Sequence, residues 1–300
     1  MASAQCTNKN NAMVTKKDKK KKKKASIAKS RRRMQVFFAV ATFLIGLRHV
    51  MPGEGSTGGS FDAFCPMGGV ETFLRYLTDS STLKSTNLLN FSILMGVLGV
   101  SLVAGRAFCG WMCPLGTMQD MLAGWARRLS GGKRRIRGKR SKARFPVQVP
   151  AKLDHWARYL KYLVLAGVLL ASTMTVYPPL YDFCPARAVF GLHWTPLLAS
   201  VFVTFVVTSM LVQRFWCKYL CPLGALLSIF NKFAPLRIHI DDQRCTLCHR
   251  CDVDCPMALT PVQDNMRSLE CIQCMECLET CAIPEAVSIK LVTTSTPQKD

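Results

Sequence analysis

The stretch CTLCHRCDVDCP, residues 245–256, carries four cysteines separated by two, two and three residues. The same spacing recurs in CIQCMECLETC, residues 271–281. Thiolates at this spacing wrap three ligands around one [4Fe–4S] cube, while the fourth cysteine of each run binds the other cube. The spacing therefore predicts two clusters with four cysteine ligands each: Cys245, Cys248, Cys251 and Cys281 for the first, and Cys271, Cys274, Cys277 and Cys255 for the second.

Zinc is the alternative occupant of such cysteine sites, but zinc usually binds two separated Cys-x2-Cys units rather than two continuous runs. Alternating apolar residues at 237–241 and 287–292 predict short strands on either side of the runs. We therefore expect residues 237–300 to form a small α+β, ferredoxin-like domain with two clusters. Its folding should depend on the clusters, because the segment has little apolar core of its own.

The residues that precede this domain are apolar and strongly basic. Residues 1–236 contain 34 Lys and Arg against 8 Asp and Glu, whereas residues 237–300 contain 6 against 10, within a total net charge of +22. Four apolar stretches approach the roughly 20 residues that a helix needs to cross a bilayer, and they lie at 35–51, 88–105, 162–180 and 196–212. The pattern predicts an all-α membrane bundle of four helices.

The basic residues predict the orientation of this bundle, because Lys and Arg collect on the cytoplasmic side of a membrane. Residues 1–33 carry 13 of them and residues 127–144 carry 10, whereas the segments 52–87 and 181–195 carry three between them. We therefore expect four crossings of a bacterial inner membrane with both termini in the cytoplasm. Polybasic runs also bind nucleic acid, but here an apolar helix follows at once, which favours an orientation signal and no nucleic-acid partner.

The chain divides into five predicted parts: a disordered basic tail, a two-helix membrane repeat, a basic loop, a second two-helix repeat and the ferredoxin-like domain. Their boundaries are 1–33, 34–126, 127–157, 158–236 and 237–300. Both repeats contain the motif Cys-x3-Cys-Pro-Leu-Gly, which begins at Cys109 and again 108 residues later at Cys217. Repeats of two crossings each keep the same orientation, which implies a pseudo-two-fold axis along the membrane normal.

Further cysteines outside the two runs are candidate site residues. Cysteines at i and i+4 share one face of a helix, so the duplicated motif would bring together Cys109, Cys113, Cys217 and Cys221. These four are a candidate redox or metal site, and helix packing by small buried residues is the alternative. Cys65 and Cys184, each followed by proline, form either a disulfide on the oxidising periplasmic side or a further cluster site.

Between about Gln35 and Val292 the chain resembles the NapH/NosR/CcoG family of membrane polyferredoxins. The resemblance rests on the paired Cys-x3-Cys-Pro motifs and on the two ferredoxin-type runs. It implies a NapH-like component of a quinol dehydrogenase in the cytoplasmic membrane. Such a component relays electrons between the quinone pool and ferredoxin-like or cytochrome partners in a respiratory chain.

Quinol oxidation requires a proton acceptor, and His49 at the predicted periplasmic mouth is the candidate, because histidine titrates in the appropriate range. The direction of electron flow stays open, since cluster potentials span about −700 to +450 mV. The alternative function is an assembly or sensing factor of the CcoG or NosR type. In that case the Cys-x3-Cys-Pro thiols would bind copper or report redox state, because soft thiolates also select Cu(I).

Overall fold

The computed structural model describes residues 27–47, 66–70, 73, 88–131, 145–147, 149–174, 183–190, 194–262, 268–281, 283 and 285–291. Helices dominate this part of the chain, together with one two-stranded sheet. His49 and Cys65, two of the candidate residues, lie outside the described residues.

The first repeat contains α1 (27–47), α2 (66–70), α3 (Leu88–Ala104), α4 (Ala107–Trp111) and α5 (Pro114–Leu129). Helix α6 (Ala151–Ala157) lies at the end of the predicted basic loop. The second repeat contains α7 (Leu160–Met174), α8 (Pro185–Phe190), α9 (Pro196–Leu211), α10 (Phe215–Tyr219) and α11 (Pro222–Asn231). The C-terminal part contains β1 (Leu236–Ile240), α12 (Arg250–Val253), α13 (Glu276–Thr280) and β2 (Val287–Leu291). Among these described helices, none combines the length and the apolar composition that crossing a membrane requires.

The duplicated motif forms the same turn in both repeats. Pro114 and Pro222 are the first residues of α5 and α11, where the missing N–H of proline is not needed and its fixed φ suits the first helical turn. Cys113 and Cys221 precede them with extended backbone, at φ −63° and ψ 117° and at φ −74° and ψ 112°. Each Cys-x3-Cys-Pro motif is therefore a sharp turn between two helices, with its second cysteine at the N-cap.

The two repeats pack crosswise, so that their turns lie close together. Helix α5 of the first repeat contacts α9 of the second, and α11 of the second contacts α3 of the first. The apolar core at this crossing continues into the C-terminal part, where Val97 and Leu227 belong to one cluster with Met257 and Ile272. The C-terminal part thus shares a core with the helices. This shared core adds to the small core that the sequence of the C-terminal part predicts.

The C-terminal part has the strands that the sequence alternation predicts. β1 and β2 pair antiparallel, with Ile240 opposite Val287. These two residues pack with Cys251 and Cys277 in a second apolar cluster. Because Cys251 belongs to α12 and Cys277 to α13, the sheet and both short helices enclose one small core.

Helix α1 begins inside the basic segment that the sequence predicted to be disordered through residue 33. That prediction is wrong for residues 27–33, which are helical. The reason is a set of hydrogen bonds from Arg31, whose guanidinium donates to the carbonyl of Gly110 at 3.3 Å and to the carbonyl of Cys274 at 3.2 Å. These partners are 79 and 243 residues away in sequence, so local charge composition cannot reveal them.

Candidate iron–sulfur site

A small, partly open cavity lies in the C-terminal part of the protein. Five cysteines of the two runs line it: Cys251, Cys255, Cys271, Cys274 and Cys277. The remaining wall is largely apolar and includes Ile238, Met257 and Ile272. The cavity therefore combines soft sulfur donors from both runs with a largely apolar lining.

Cys255, the last cysteine of the first run, lies with the first three cysteines of the second run. Burial raises the pKa of Cys271 to about 11 and that of Cys274 to about 12, and in both cases the thiol of Cys255 raises it further. Burial also raises the pKa of Cys277 far above its usual value, with added effects from Cys274, Cys271 and Cys255. Without a cation these thiols stay protonated, so binding of a metal centre would release protons.

Cys281, the last cysteine of the second run, lies with cysteines of the first run. Cys281 and Cys245 pack against the apolar cluster that contains the buried Cys251. Burial is the main cause that raises the pKa of Cys251 to about 11. The charge of Asp252 raises it further, and the thiols of Cys248 and Cys245 add smaller effects. Each run therefore places its fourth cysteine beside the cysteines of the other run.

The backbone of the two runs explains how their cysteines converge. Leu247 and His249 flank Cys248 with φ of +48° and +51°, and Gln273 and Met275 flank Cys274 with φ of +48° and +61°. Left-handed backbone is uncommon for residues other than glycine. Left-handed backbone at the same two positions of both runs curls each loop around its cysteines. A backbone that alternates between right- and left-handed residues also points successive N–H groups toward an anion.

A third group of cysteines lies where the turns of the two repeats meet. Cys109 and Cys217 are buried, and Cys113 and Cys221 are half-buried at the helix N-caps. Burial raises the pKa of both N-cap thiols, and the thiols of Cys217 and Cys109 raise it further. The side-chain amide of Gln119 donates a hydrogen bond to the sulfur of Cys217 at 3.1 Å. Both N-cap thiols therefore lie within electrostatic reach of Cys109 and Cys217.

Two arginines beside this third group were not identified as site residues from the sequence. Arg106 and Arg214 have no exposed surface. Arg214 donates to both carboxylate oxygens of Asp120, at 2.9 and 2.6 Å, and Arg106 donates to Glu270 at 2.6 Å. A signal was present, because each arginine lies three residues before the first cysteine of its repeat and the two are 108 residues apart.

The other predicted site residues are not brought together in the described part of the chain. Cys184 is half-buried and directly precedes α8, whereas its proposed partner Cys65 lies outside the described residues, as does His49. Within the ranges that the structure describes, no three or more His, Cys, Asp or Glu side chains are arranged to hold a single metal ion.

Comparison with known proteins identifies the family. A family model described as a 4Fe-4S binding domain matches residues 86–133 and 194–240. The chain is 31% identical over 191 residues to an uncharacterized protein of Methanocaldococcus jannaschii, a match that spans 63% of this chain and 74% of the relative. It is 27% identical over 270 residues to the ferredoxin-type protein NapH of Escherichia coli (strain K12), which spans 84% of this chain and 85% of NapH. The chain belongs to the NapH/NosR-type family of ferredoxin-like proteins.

Further comparisons agree with this family. YccM of Escherichia coli (strain K12) is 25% identical over 274 residues, which span 86% of this chain and 72% of YccM. No solved structure matched the chain. In this NapH/NosR-type protein the two segments matched by the 4Fe-4S family model each contain one Cys-x3-Cys-Pro turn. The predicted family membership is confirmed, and so is the general prediction of an iron–sulfur protein.

Proposed function

We propose that this protein is a membrane-bound electron-transfer protein that relays electrons between the quinol pool and a redox partner. The observation that carries the proposal is the cavity lined by five cysteines of the two runs. When bound, two [4Fe–4S] clusters would supply one-electron transfer. Together they would match the two electrons that a quinol releases. The ferredoxin-type relatives support electron transfer as the general activity.

The residues that would hold the clusters fit the chemistry of the group. Thiolates are the preferred ligands of iron–sulfur clusters. We propose Cys245, Cys248, Cys251 and Cys281 as the ligands of one cluster and Cys255, Cys271, Cys274 and Cys277 as those of the other. Ile238, Met257 and Ile272 line the space around the thiols with apolar surface. This lining would limit the access of water to the five cysteines that share the cavity, and solvent exposure is one of the ways a protein sets a cluster potential.

Exposed apolar side chains support the proposed membrane location. The apolar helices α1, α3, α7 and α9 carry large hydrophobic residues that are at least 40% exposed: Phe37, Leu44, Met95, Leu102, Val103, Leu163, Leu170, Val203 and Val207. Apolar surface of this extent marks contact with a membrane or a partner. We propose that a bacterial inner membrane covers it, with four crossings, both termini in the cytoplasm and the five-part division given above.

The proposal is tested by anaerobic reduction of the purified protein in detergent. A reduced quinol analogue is added to the oxidised protein, and the visible iron–sulfur absorbance is followed. We expect bleaching, and dithionite gives the full amplitude as a reference. Intact clusters that dithionite bleaches and quinol does not would contradict quinol as the electron donor.

His49 remains the proposed proton acceptor for quinol. The variant His49→Ala should slow quinol-dependent bleaching while leaving the iron content unchanged. His155, an exposed histidine of α6, provides the matched control His155→Ala. Equal bleaching rates for both variants and for the unmodified protein would remove His49 from the proposal.

A further inference from the structure

We propose that Cys109, Cys113, Cys217 and Cys221 bind a third iron–sulfur cluster at the junction of the two repeats, with Arg106 and Arg214 offsetting its charge. This centre goes beyond the two-cluster relay and does not depend on the identity of the electron donor. Its ligands come from two turns that are 108 residues apart and have the same shape. The meeting of the two repeats therefore brings these four cysteines together.

Hydrogen-bond donors around the sulfurs favour the thiolate form that a metal centre needs. The amide of Gly224 donates to the sulfur of Cys221 at 3.4 Å, and the side-chain amide of Gln119 donates to that of Cys217 at 3.1 Å. The backbone at Gly116 provides a corresponding donor for Cys113. Hydrogen bonds to a charged group stabilise that form, so three of the four sulfurs have a protein donor in place.

Arg106 supplies an independent sign of an anionic occupant. Its side chain is fully buried, and its Nε and Nη2 atoms have no hydrogen-bond partner. A buried guanidinium with unsatisfied N–H groups is costly unless an anion lies nearby. The thiols of Cys109 and Cys217 are within electrostatic reach of this guanidinium. A thiolate-bound cluster would provide acceptors for these two nitrogen atoms and negative charge in addition to that of Glu270.

The two arginines are arranged reciprocally between the repeats. A side-chain carbon on Gly224 would lie 2.9 Å from Nη2 of Arg106, and one on Gly116 would lie 3.7 Å from Nη1 of Arg214. Each arginine of one repeat therefore reaches the Cys-Pro-Leu-Gly turn of the other. At Gly224 the absence of a side chain leaves room for the guanidinium of Arg106, whereas at Gly116 the nearest atom is the carbonyl oxygen of Cys109, at 3.0 Å.

The charges of the surrounding groups match those of a four-thiolate cluster. A [4Fe–4S] centre with four thiolates carries a formal charge of about −2 in its oxidised form. Arg106 and Lys161 share the single carboxylate of Glu270, and Arg214 and Arg31 share that of Asp120. Each network thus has one cation in excess. Glu276 also contacts Arg31, but its side chain is 40% exposed and is screened by solvent.

The proposed centre adjoins the cysteines of the second run. Trp111 donates a hydrogen bond from Nε1 to the carbonyl of Gln273 at 2.9 Å. Arg31 donates hydrogen bonds to the carbonyls of both Gly110 and Cys274 and so links α4 to the second run. Cys109 and Cys274 belong to the same apolar cluster. The three proposed centres therefore form a continuous series from the C-terminal part into the helical body, which would extend the relay toward the apolar helices.

The test is a metal count on the full chain, purified anaerobically in detergent. Three clusters predict about twelve iron atoms and as many acid-labile sulfides per chain, whereas two clusters predict about eight of each. The double variant Cys113→Ser/Cys221→Ser should lose about four iron atoms and keep the rest. Cys6→Ser serves as the matched control, because Cys6 belongs to none of the three groups.

Three outcomes would overturn the proposal: about eight iron atoms in the unmodified protein, an unchanged count in the double variant, or zinc or copper that the double variant loses. If the double variant does not fold, the count on the unmodified protein still decides. Arg106→Gln adds a measurement that does not depend on iron content. Loss of this nearby positive charge should lower the reduction potential of the third centre, so that it becomes harder to reduce. None of these measurements uses quinol, so their failure is distinguishable from failure of the proposed relay.

Discussion

At Gly110, α4 comes very close to the loop of the second cysteine run. A side-chain carbon at this position would lie 2.4 Å from the carbonyl oxygen of Ile272, whereas real side-chain carbons essentially never come closer than 3.0 Å. Gly110→Ala must therefore separate the two backbones by about 0.6 Å. Because the carbonyl of Ile272 is backbone and cannot move aside as a flexible side chain can, we expect a cost of about 1–3 kcal/mol in stability, the usual range for overpacking.

The assay is the rate at which an iron chelator removes the visible cluster absorbance from the anaerobic protein. A cost of about 1–3 kcal/mol raises the equilibrium constant for local opening about 5- to 150-fold. The rate of cluster loss should rise by the same factor when reclosing is faster than capture by the chelator. Gly124→Ala in α5 is the matched control, because a side-chain carbon there meets nothing within 4 Å. Equal rates of loss for the two variants would refute the close contact between α4 and the loop.

Three further predictions concern stability and cluster ligation. In a denaturant titration, Glu270→Gln should lower the free energy of unfolding by about 3–5 kcal/mol, because it leaves the buried Arg106 without its carboxylate. The control Glu285→Gln changes an exposed carboxylate and should cost about 1 kcal/mol or less in the same titration. Cys281→Ser should remove one cluster, and adding Cys245→Ser should remove no more iron; a further loss of about four iron atoms would contradict their shared cluster. Chelation of all iron should weaken the β1–β2 sheet in circular dichroism, because Cys251 and Cys277, two of the proposed cluster ligands, belong to the small core that this sheet covers. An unchanged spectrum would show that the apolar cores keep this part folded without clusters.

Apolar stretches in the sequence locate several helices well. The stretches 88–105 and 196–212 correspond to α3 (Leu88–Ala104) and α9 (Pro196–Leu211). The strands are predicted equally well, since period-two alternation reports the side facing the core. The first stretch, 35–51, is less accurate, because α1 extends from residue 27 to residue 47. Hydropathy reports where a helix is apolar, and its ends depend on partners such as those of Arg31.

The cysteine groups follow from spacing, whereas the charged network around them does not. Covalent spacing restricts which thiolates can reach one cube, and a duplicated motif suggests that its copies meet. By contrast, Arg106 pairs with a carboxylate 164 residues away, and Arg214 pairs with one 94 residues away. Such pairs depend on how α5, α9 and α11 cross, and no local pattern encodes that crossing. The shared core between the helices and the C-terminal part has the same origin.

The central claim is that the two cysteine runs jointly bind two neighbouring iron–sulfur clusters. Electron paramagnetic resonance of the dithionite-reduced full chain tests it most directly, because two reduced clusters in one small domain interact magnetically. We expect a spectrum split by this interaction, and Cys281→Ser should convert the C-terminal contribution to that of a single isolated cluster. A reduced protein without an iron–sulfur signal, or with zinc bound to the cysteines of both runs, would contradict the claim.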